Sequence, residues 1–305
     1  MINKQKQGIL LAVIGSALWG TSGTAAELLY RNPNINTFWL IGVRLWLAGL
    51  ALVVIAYLKN GKEVFNIFHN KEDLLYGMFY AVLGIALPQF TYFYTVQLSN
   101  APTGTVLVFL APVLIIFYMS LKTKQLPRRI DMISVIIAIL GTIILVTGGN
   151  FGHLAVTPQT LVWGFMAAIT QACSIVMPGK LFKKYGSLEV IGLSMIFGAI
   201  IFTPFILLIP SHHVTVNEWA IVFYIVIAGT ILAYTLYLSS VMYISAGLCS
   251  MLEAFEPLTA TVLSVSLLSS DFGLMKMIGG SLIIIATCMQ VIPTPRGKKL
   301  FKHHF

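Results

Sequence analysis

APTGTVLVFLAPVLIIFYMSL, residues 101–121, carries no charge from Ala101 to Leu121 and has a proline in its middle. AGLCSMLEAFEPLTATVLSVSLL, residues 246–268, has a similar make-up, and an offset of 145 positions lays Ala101 on Ala246 and Pro112 on Pro257. The register continues through Met132 on Met277, Ile133 on Ile278 and Thr142 on Thr287. Each run is about 20 residues long, which is what a helix needs to cross a hydrocarbon core of roughly 30 Å. Lipid offers the backbone no hydrogen bonds, so such a run must satisfy its own as a helix. Strands of a membrane barrel would be about ten residues of alternating polarity, a pattern that neither run shows.

The rest of the chain reads the same way. It is 58% hydrophobic and 10% charged with a mean hydropathy of +0.89, whereas a soluble domain carries roughly a quarter charged residues. That leaves too little polar surface to cover a water-facing globule. The pattern predicts an all-α membrane protein with helices at 8–29, 35–58, 74–97, 102–121, 130–148, 158–180, 187–210, 217–241, 245–268 and 274–292. The first run follows Lys4 and Lys6, and Gly-Thr-Ala-Ala at 23–26 resembles the cleavage site of a secretory signal. The run is longer than a signal core and nine more follow, so it is read as the first helix. Cys173, Cys249 and Cys288 each fall inside an apolar run and read as small core residues, not as disulfide partners or metal ligands.

Charge sets the orientation. Sixteen of the 19 Lys and Arg residues fall in the termini and alternate loops on one side: Lys4 and Lys6, Lys59 to Lys71, Lys122 to Arg129, Lys180 to Lys184, and Arg296 to Lys302. Arg31 and Lys276 lie on the other side, and Arg44 lies within a run. Cytoplasmic loops carry the basic excess, so both termini are expected in the cytoplasm. The net charge of +9 is therefore a topology signal and not a nucleic-acid footprint. Helices four and nine are five apart and cross in opposite directions. The expected architecture is thus a five-plus-five inverted repeat, residues 1–150 and 151–305, the second ending in a short basic tail.

Several short motifs sit in that frame: Ser-Ala-Leu-Trp-Gly at 16–20, Arg44 in the second helix, Ala-Pro at 111–112, Glu-Pro-Leu-Thr-Ala at 256–260 and Ile-Gly-Gly-Ser-Leu-Ile-Ile at 278–284. In order and spacing they make the chain resemble the EamA-type members of the drug/metabolite transporter superfamily over nearly its whole length. The resemblance implies a secondary carrier of small organic solutes, often an exporter, with a central cavity shared between halves. In one departure, Asp271 stands between the last two helices where the family usually has a glutamate that looks structural. The first half reads Lys124–Gln125–Leu126 at the corresponding place.

Charge near the bilayer centre is costly and is usually functional or paired. At 1.5 Å per residue, Arg44 lies roughly 14 Å into helix two, and Glu253 and Glu256 roughly 12 and 17 Å into helix nine. The two glutamates, three apart, are expected on one helix face. Two readings are open: a site for protons or a substrate amine, or a structural ion pair with Arg44. Glu27 and Arg31, four apart, have the spacing of a surface ion pair. Pro112 and Pro257 each delete a backbone hydrogen bond at matching places, which is where carriers place their sites; a static kink is the alternative. Trp19 offers a face to a ring or a cationic head group. Gln89 and Gln171 are expected to face the interior, because an amide in lipid is expensive. Tyr92 and Tyr94 either line the exit or belong to the interfacial belt. Trp39, Trp163 and Trp219 have belt positions, and Trp46 decides nothing. Gly20, Gly23, Gly77, Gly84, Gly279 and Gly280 allow close helix contact.

An embedded enzyme would need a nucleophile–base pair, a metal set or paired acids in a reachable place. His153 and His212–His213 sit in short outer loops and His303–His304 in the tail, without spaced acidic partners. No phosphate-binding glycine loop appears, which argues against direct ATP drive, and no filter or charge ring suggests a channel. The expected protein is a plasma-membrane secondary transporter of bacterial type. Its expected partners are a small organic solute, protons and the lipid bilayer, with no nucleic acid, no cofactor and no metal; its oligomeric state stays open. Two acids against one arginine favour an amine, an amino-acid-like or a cationic solute over a simple anion.

Overall fold

The computed structural model describes residues 4–124, 126–127, 129–150, 156–208, 214–240, 243–244, 252–269 and 272–290. Gln125, Arg128, His153, His212, His213, Cys249, Asp271, Arg296, Lys298, Lys299, Lys302, His303 and His304 lie outside the described residues.

Among the described residues the chain is helical and holds no strand. In order come α1 (Lys4–Leu29), α2 (Thr37–Asn60), α3 (Lys71–Tyr80), α4 (Leu87–Leu98), α5 (Ala101–Val108), α6 (Ala111–Thr123) and α7 (Arg129–Thr147). There follow α8 (Pro158–Val176), α9 (Gly179–Tyr185), α10 (Ser187–Leu208), α11 (Val216–Val226), α12 (Ala233–Ser240), α13 (Phe255–Leu268) and α14 (Leu274–Gln290). Among the described residues, seven continuous stretches are long and apolar enough to cross a membrane: Lys4–Leu29, Thr37–His69, Lys71–Leu98, Ala101–Lys122, Pro158–Val176, Ser187–Leu208 and Val216–Tyr237. Phe255–Leu268 is a shorter apolar helix.

Side chains that accept the first free amides mark where helices begin. Asn36 accepts from the Trp39 amide at the start of α2, and Asn100 from the Thr103 amide at the start of α5. Asn70 takes the Glu72 and Asp73 amides of α3. Thr215 and Glu218 form a reciprocal capping box on α11. Between α2 and α3, residues 61–69 form a 3-10 helix that the sequence reading leaves as loop. Its Val64 and Ile67 are buried while Phe65 and Phe68 stay exposed, so an amphipathic turn holds it against the helix ends.

The helices pair closely. α2 runs along α10, and Trp46 donates to the Thr203 hydroxyl across that seam at 3.0 Å. α7 runs along α14, where a Cβ on Gly279 would meet the Leu145 amide nitrogen at 2.6 Å, so only glycine admits this approach. α1 packs on α12 and α13, and α4 on α8. Trp39, expected in the interfacial belt, is instead 5% exposed and meets Trp219 edge-on at 5.3 Å. Trp163 packs on Phe90 and Tyr94. Helix-end tryptophans suit a membrane interface or a helix seam equally well, and here the seam takes them.

Four interruptions shape the interior. Ala81–Ala86, between α3 and α4, and Ile227–Leu232, between α11 and α12, are π-helical. The offset of 145 positions that aligns the two prolines also lays Gly84 on Gly229 and Tyr92 on Tyr237. α5 stops at a turn, Phe109–Leu110, before α6 restarts at Ala111–Pro112. Glu253–Ala254 form the corresponding turn before Phe255–Glu256–Pro257. Proline has no amide to donate, so each chain turns tightly just ahead of it: the Val113 amide donates to Leu110 at 3.1 Å and the Glu256 amide to Glu253 at 2.9 Å. At Pro112 a continuous helix is thus replaced by two segments, and α13 begins two residues before Pro257.

Candidate solute site at the interrupted helices

The π segment after α11 supplies the anchor. Its Thr230 hydroxyl donates to the Ile225 carbonyl, five residues back, at 3.0 Å. The same oxygen accepts from Arg44 Nε at 2.7 Å, and Arg44 Nη2 donates to the Gly229 carbonyl at 3.3 Å. The guanidinium carbon lies 4.5 Å from the Phe93 ring centre, a cation–π contact made where water is excluded. Arg44 is 4% exposed, and its Nη1 has no hydrogen-bond partner among the described residues. The ion pair between Arg44 and a glutamate does not form, because the π segment provides oxygen acceptors closer to the guanidinium. Tyr234, Tyr92, Tyr30 and Glu256 are the ionisable groups near enough to act on Arg44 through space.

Trp19, on α1, stands against two tyrosines of α12. Its ring lies 5.2 Å from Tyr234, edge-on, and 5.0 Å from Tyr237, tilted. The Tyr237 hydroxyl donates in turn to the Glu253 carboxylate. Glu253 belongs to the turn before α13 and Glu256 to its first turn, so the shared helix face expected of them is replaced by a turn and a helix start. The two carboxylates nonetheless lie within electrostatic reach of each other. Both are half-buried. The Glu256 carbonyl presses on Gly20, so α1 and α13 touch backbone to backbone here.

Tyr92, on α4, is turned inward, with its hydroxyl against Gly23 and no hydrogen-bond partner among the described residues. Ser22 Oγ lies against Gly229 and likewise has no partner among the described residues. Gln89 is 7% exposed, and neither end of its amide is bonded among the described residues. Gln171 is half-buried on α8, beside Thr170, whose hydroxyl meets that of Thr91 at 3.1 Å. The structure therefore gathers Trp19, Arg44, Tyr92, Glu253 and Glu256 around the π segment and the turn before α13. No described contact joins Gln89 or Gln171 to that group. Pro112 stands second in α6 and Pro257 third in α13.

Sequence reasoning missed Ser22, Phe93, Thr230, Tyr234 and Tyr237. Tyr237 alone carried a signal, since the internal offset lays it on Tyr92.

Toward the end poor in Lys and Arg, contacts between helices are dense. Glu27 Oε2 accepts from the Ala101 amide and from Ser264 Oγ, both at 2.8 Å. Arg31, expected to pair with Glu27, instead donates to the Leu268 carbonyl at 2.6 Å. Asn32 donates to Glu218 at 2.8 Å, and Thr37 to Gln97 at 2.6 Å. At the opposite end Lys184 and Tyr185 both reach Asp73, at 2.5 and 2.6 Å.

A helical, many-spanning protein with charged and aromatic groups collected at broken helices belongs to the class of membrane transporters. The chain is a member of the EamA-like transporter family, which it matches over residues 6–147 and 159–292. It is 33% identical over 280 residues to an uncharacterized inner membrane transporter of Salmonella typhimurium, YicL, covering 92% of this chain and 93% of that one. An uncharacterized transporter of Bacillus subtilis, YetK, is 23% identical over 300 residues, 96% of this chain and 89% of its own. A solved crystal structure shares the fold with a TM-score of 0.63 at 18% identity, covering 92% of this chain and 95% of that one. The protein is thus a multi-pass transporter of the plasma membrane, and both bacterial relatives are named as transporters.

Proposed function

We propose that the protein is a secondary carrier that moves a small organic metabolite such as an amino acid, an amine or a drug by alternating access. The reading includes ten helices in a five-plus-five inverted repeat, both termini in the cytoplasm and net export. The single observation that carries it is the gathering of Arg44, Glu253 and Glu256 at the interrupted helices without an Arg–Glu ion pair. A purely structural charge set would neutralise itself, whereas these groups keep bonding capacity for a guest.

Two pairs of interruptions, the π segments and the turns ahead of α6 and α13, recur at matching places. Such breaks line cavities in carriers, because irregular backbone at membrane depth needs a polar surrounding. Glu253 and Glu256 are the groups assigned to proton coupling, since neighbouring carboxylates titrate as a coupled pair and not as two separate acids. Trp19 and the tyrosines around it orient the solute.

The test is solute-driven proton movement in proteoliposomes, followed with an internal pH dye. The reading expects solute addition to move protons in wild-type vesicles and not in Glu256→Gln vesicles. A Glu256→Gln protein that keeps full rate and full pH dependence removes the coupling role. A channel is the competing reading, and flux that rises linearly with solute concentration would favour it.

A further inference from the structure

We propose that the 3-10 helix at 61–69, the start of α3 and α9 form a binding site for the phosphate of an anionic phospholipid, with Phe65 and Phe68 seated among its acyl chains. The site lies at the Lys-rich end, away from the interrupted helices, and does not depend on the carrier reading. One face of the 3-10 helix is fixed and the other is open. Val64 and Ile67 are buried, and Ile67 packs where Gly77 of α3 and Leu181 of α9 come together. Phe65 and Phe68 point the other way and are 40% and 46% exposed. A row of rings runs from Tyr57 through Phe65 and Phe68 to Phe197, with successive centres 6.3, 6.3 and 6.1 Å apart. Phe197 lies about 15 Å along α10 from Ser187, at 1.5 Å per residue. The row therefore descends from the helix ends onto the flank of a membrane-spanning stretch, where exposed rings face hydrocarbon.

The polar half of the site lies beside those rings. Asn66, His69, Asn70, Lys184 and Tyr185 line an open depression of about 410 Å³, a size that takes a small ligand. The lining is rich in donors: the NH2 groups of Asn66 and Asn70, the His69 ring and the Lys184 ammonium. Asn70 commits its side-chain oxygen to the Glu72 and Asp73 amides, so its NH2 is the half left for a ligand. Lys184 gives one of its three hydrogens to Asp73, which also accepts from the Tyr185 hydroxyl and is neutralised there. From Lys59 to Asp73 three lysines balance three acids, whereas α9 adds Lys180, Lys183 and Lys184 with no acid. The surroundings are thus net positive, and basic pockets at this level attract anionic headgroups. A phosphodiester accepts hydrogen bonds and carries negative charge, which matches that set. A soluble phosphate would leave the rings bare, and a zwitterionic headgroup would bring its own cation against α9. An anionic phospholipid uses both halves of the site.

Thermal unfolding of the purified full chain in dodecyl maltoside, titrated with dioleoylphosphatidylglycerol, tests this. The lipid should raise the midpoint saturably, and dioleoylphosphatidylcholine at the same concentrations should not. A large excess of sn-glycerol 3-phosphate, which has the phosphate without the chains, should not reproduce the shift. Asn66→Ala/His69→Ala alters exposed side chains and keeps the contact from Lys184 to Asp73, so the variant folds. It should weaken the apparent affinity for phosphatidylglycerol about tenfold or more, the size of one hydrogen bond to a charged group. Lys184→Gln should weaken it as much, and Phe65→Ser/Phe68→Ser should weaken it by removing the apolar half. Lys122→Gln takes the same charge from another loop at the same end and should change nothing. The inference is overturned if phosphatidylglycerol does not stabilise, or if phosphatidylcholine stabilises equally. It is also overturned if Lys122→Gln costs as much as Lys184→Gln, since general attraction to the basic end then suffices. Unchanged affinity in Asn66→Ala/His69→Ala would remove the pocket. Binding of glycerol phosphate as tight as that of the lipid would make a soluble phosphate the occupant and overturn the lipid assignment.

Discussion

Glu27→Ala should loosen the end of the protein poor in Lys and Arg. The carboxylate of Glu27 ties α1 to the first amide of α5 and to Ser264 of α13. Ala101 and Ser264 are fully buried, so removing the acceptor strands both donors away from water. A hydrogen bond to a charged group contributes about 1.5–3 kcal/mol, and the two together give an upper figure of about 3–6 kcal/mol. Polar pairs inside membrane proteins average nearer 0.6 kcal/mol, because the loosened state finds other partners. Partial relaxation of this kind sets the expected cost at about 2–4 kcal/mol, between those limits. At 1.4 kcal/mol per tenfold, the population open at that end rises roughly 30- to 700-fold. Thr103, 1% exposed on the first turn of α5, reports the change as a cysteine. The assay is the rate at which Thr103→Cys, in a background without native cysteines, reacts with a membrane-impermeant maleimide. Glu27→Ala should speed the reaction by at least tenfold, and Glu27→Gln, which keeps an acceptor oxygen, by less. Equal rates in all three proteins would refute the idea that Glu27 holds this end shut.

Other variants probe other parts of the structure. Gly279→Leu drives a side chain into the Leu145 amide and the Gly141 carbonyl. It should destabilise the protein by at least about 1–3 kcal/mol, read as a fall in the unfolding midpoint, since backbone cannot move aside as a side chain would. Trp19→Ala removes both ring contacts to Tyr234 and Tyr237. Each is worth about 0.5–1.5 kcal/mol, and the variant should weaken solute binding about tenfold in titration calorimetry. The hydrogen bond from Lys184 to Asp73 holds the lysine ammonium above its ordinary range. That contribution to stability is complete below the free-lysine value of about 10.4 and is lost as pH rises through the higher folded value. In Asp73→Asn, Lys184 should titrate at lower pH, as seen by NMR of methylated lysines; an unchanged titration would show that the contact is not formed in solution.

The helical, membrane-spanning character was legible because one physical quantity, a run of about 20 uncharged residues, decides it. Arg44, Glu253 and Glu256 stood out because charge at that depth is rarely idle. The π segments were not legible: Ala81–Ala86 and Ile227–Leu232 are apolar stretches with nothing in their composition to distinguish them from ordinary helix. Only the coincidence of Gly84 with Gly229 under the internal offset hinted at them. Glu27 and Arg31 show a second limit, since spacing of four favours a local pair but buried donors on other helices compete better. Trp39 shows a third, because sequence position alone does not separate a membrane interface from a helix seam. For Arg44, charge balance suggested a glutamate partner, yet a carbonyl and a hydroxyl freed by the π turn took its place.

Exchange of labelled solute across proteoliposomes, using any compound that raises the unfolding midpoint, tests the carrier reading most directly. The account predicts saturable uptake that accelerates when unlabelled solute is loaded inside, and loss of that uptake in Arg44→Gln. Uptake that grows linearly with concentration and ignores the internal solute would contradict it.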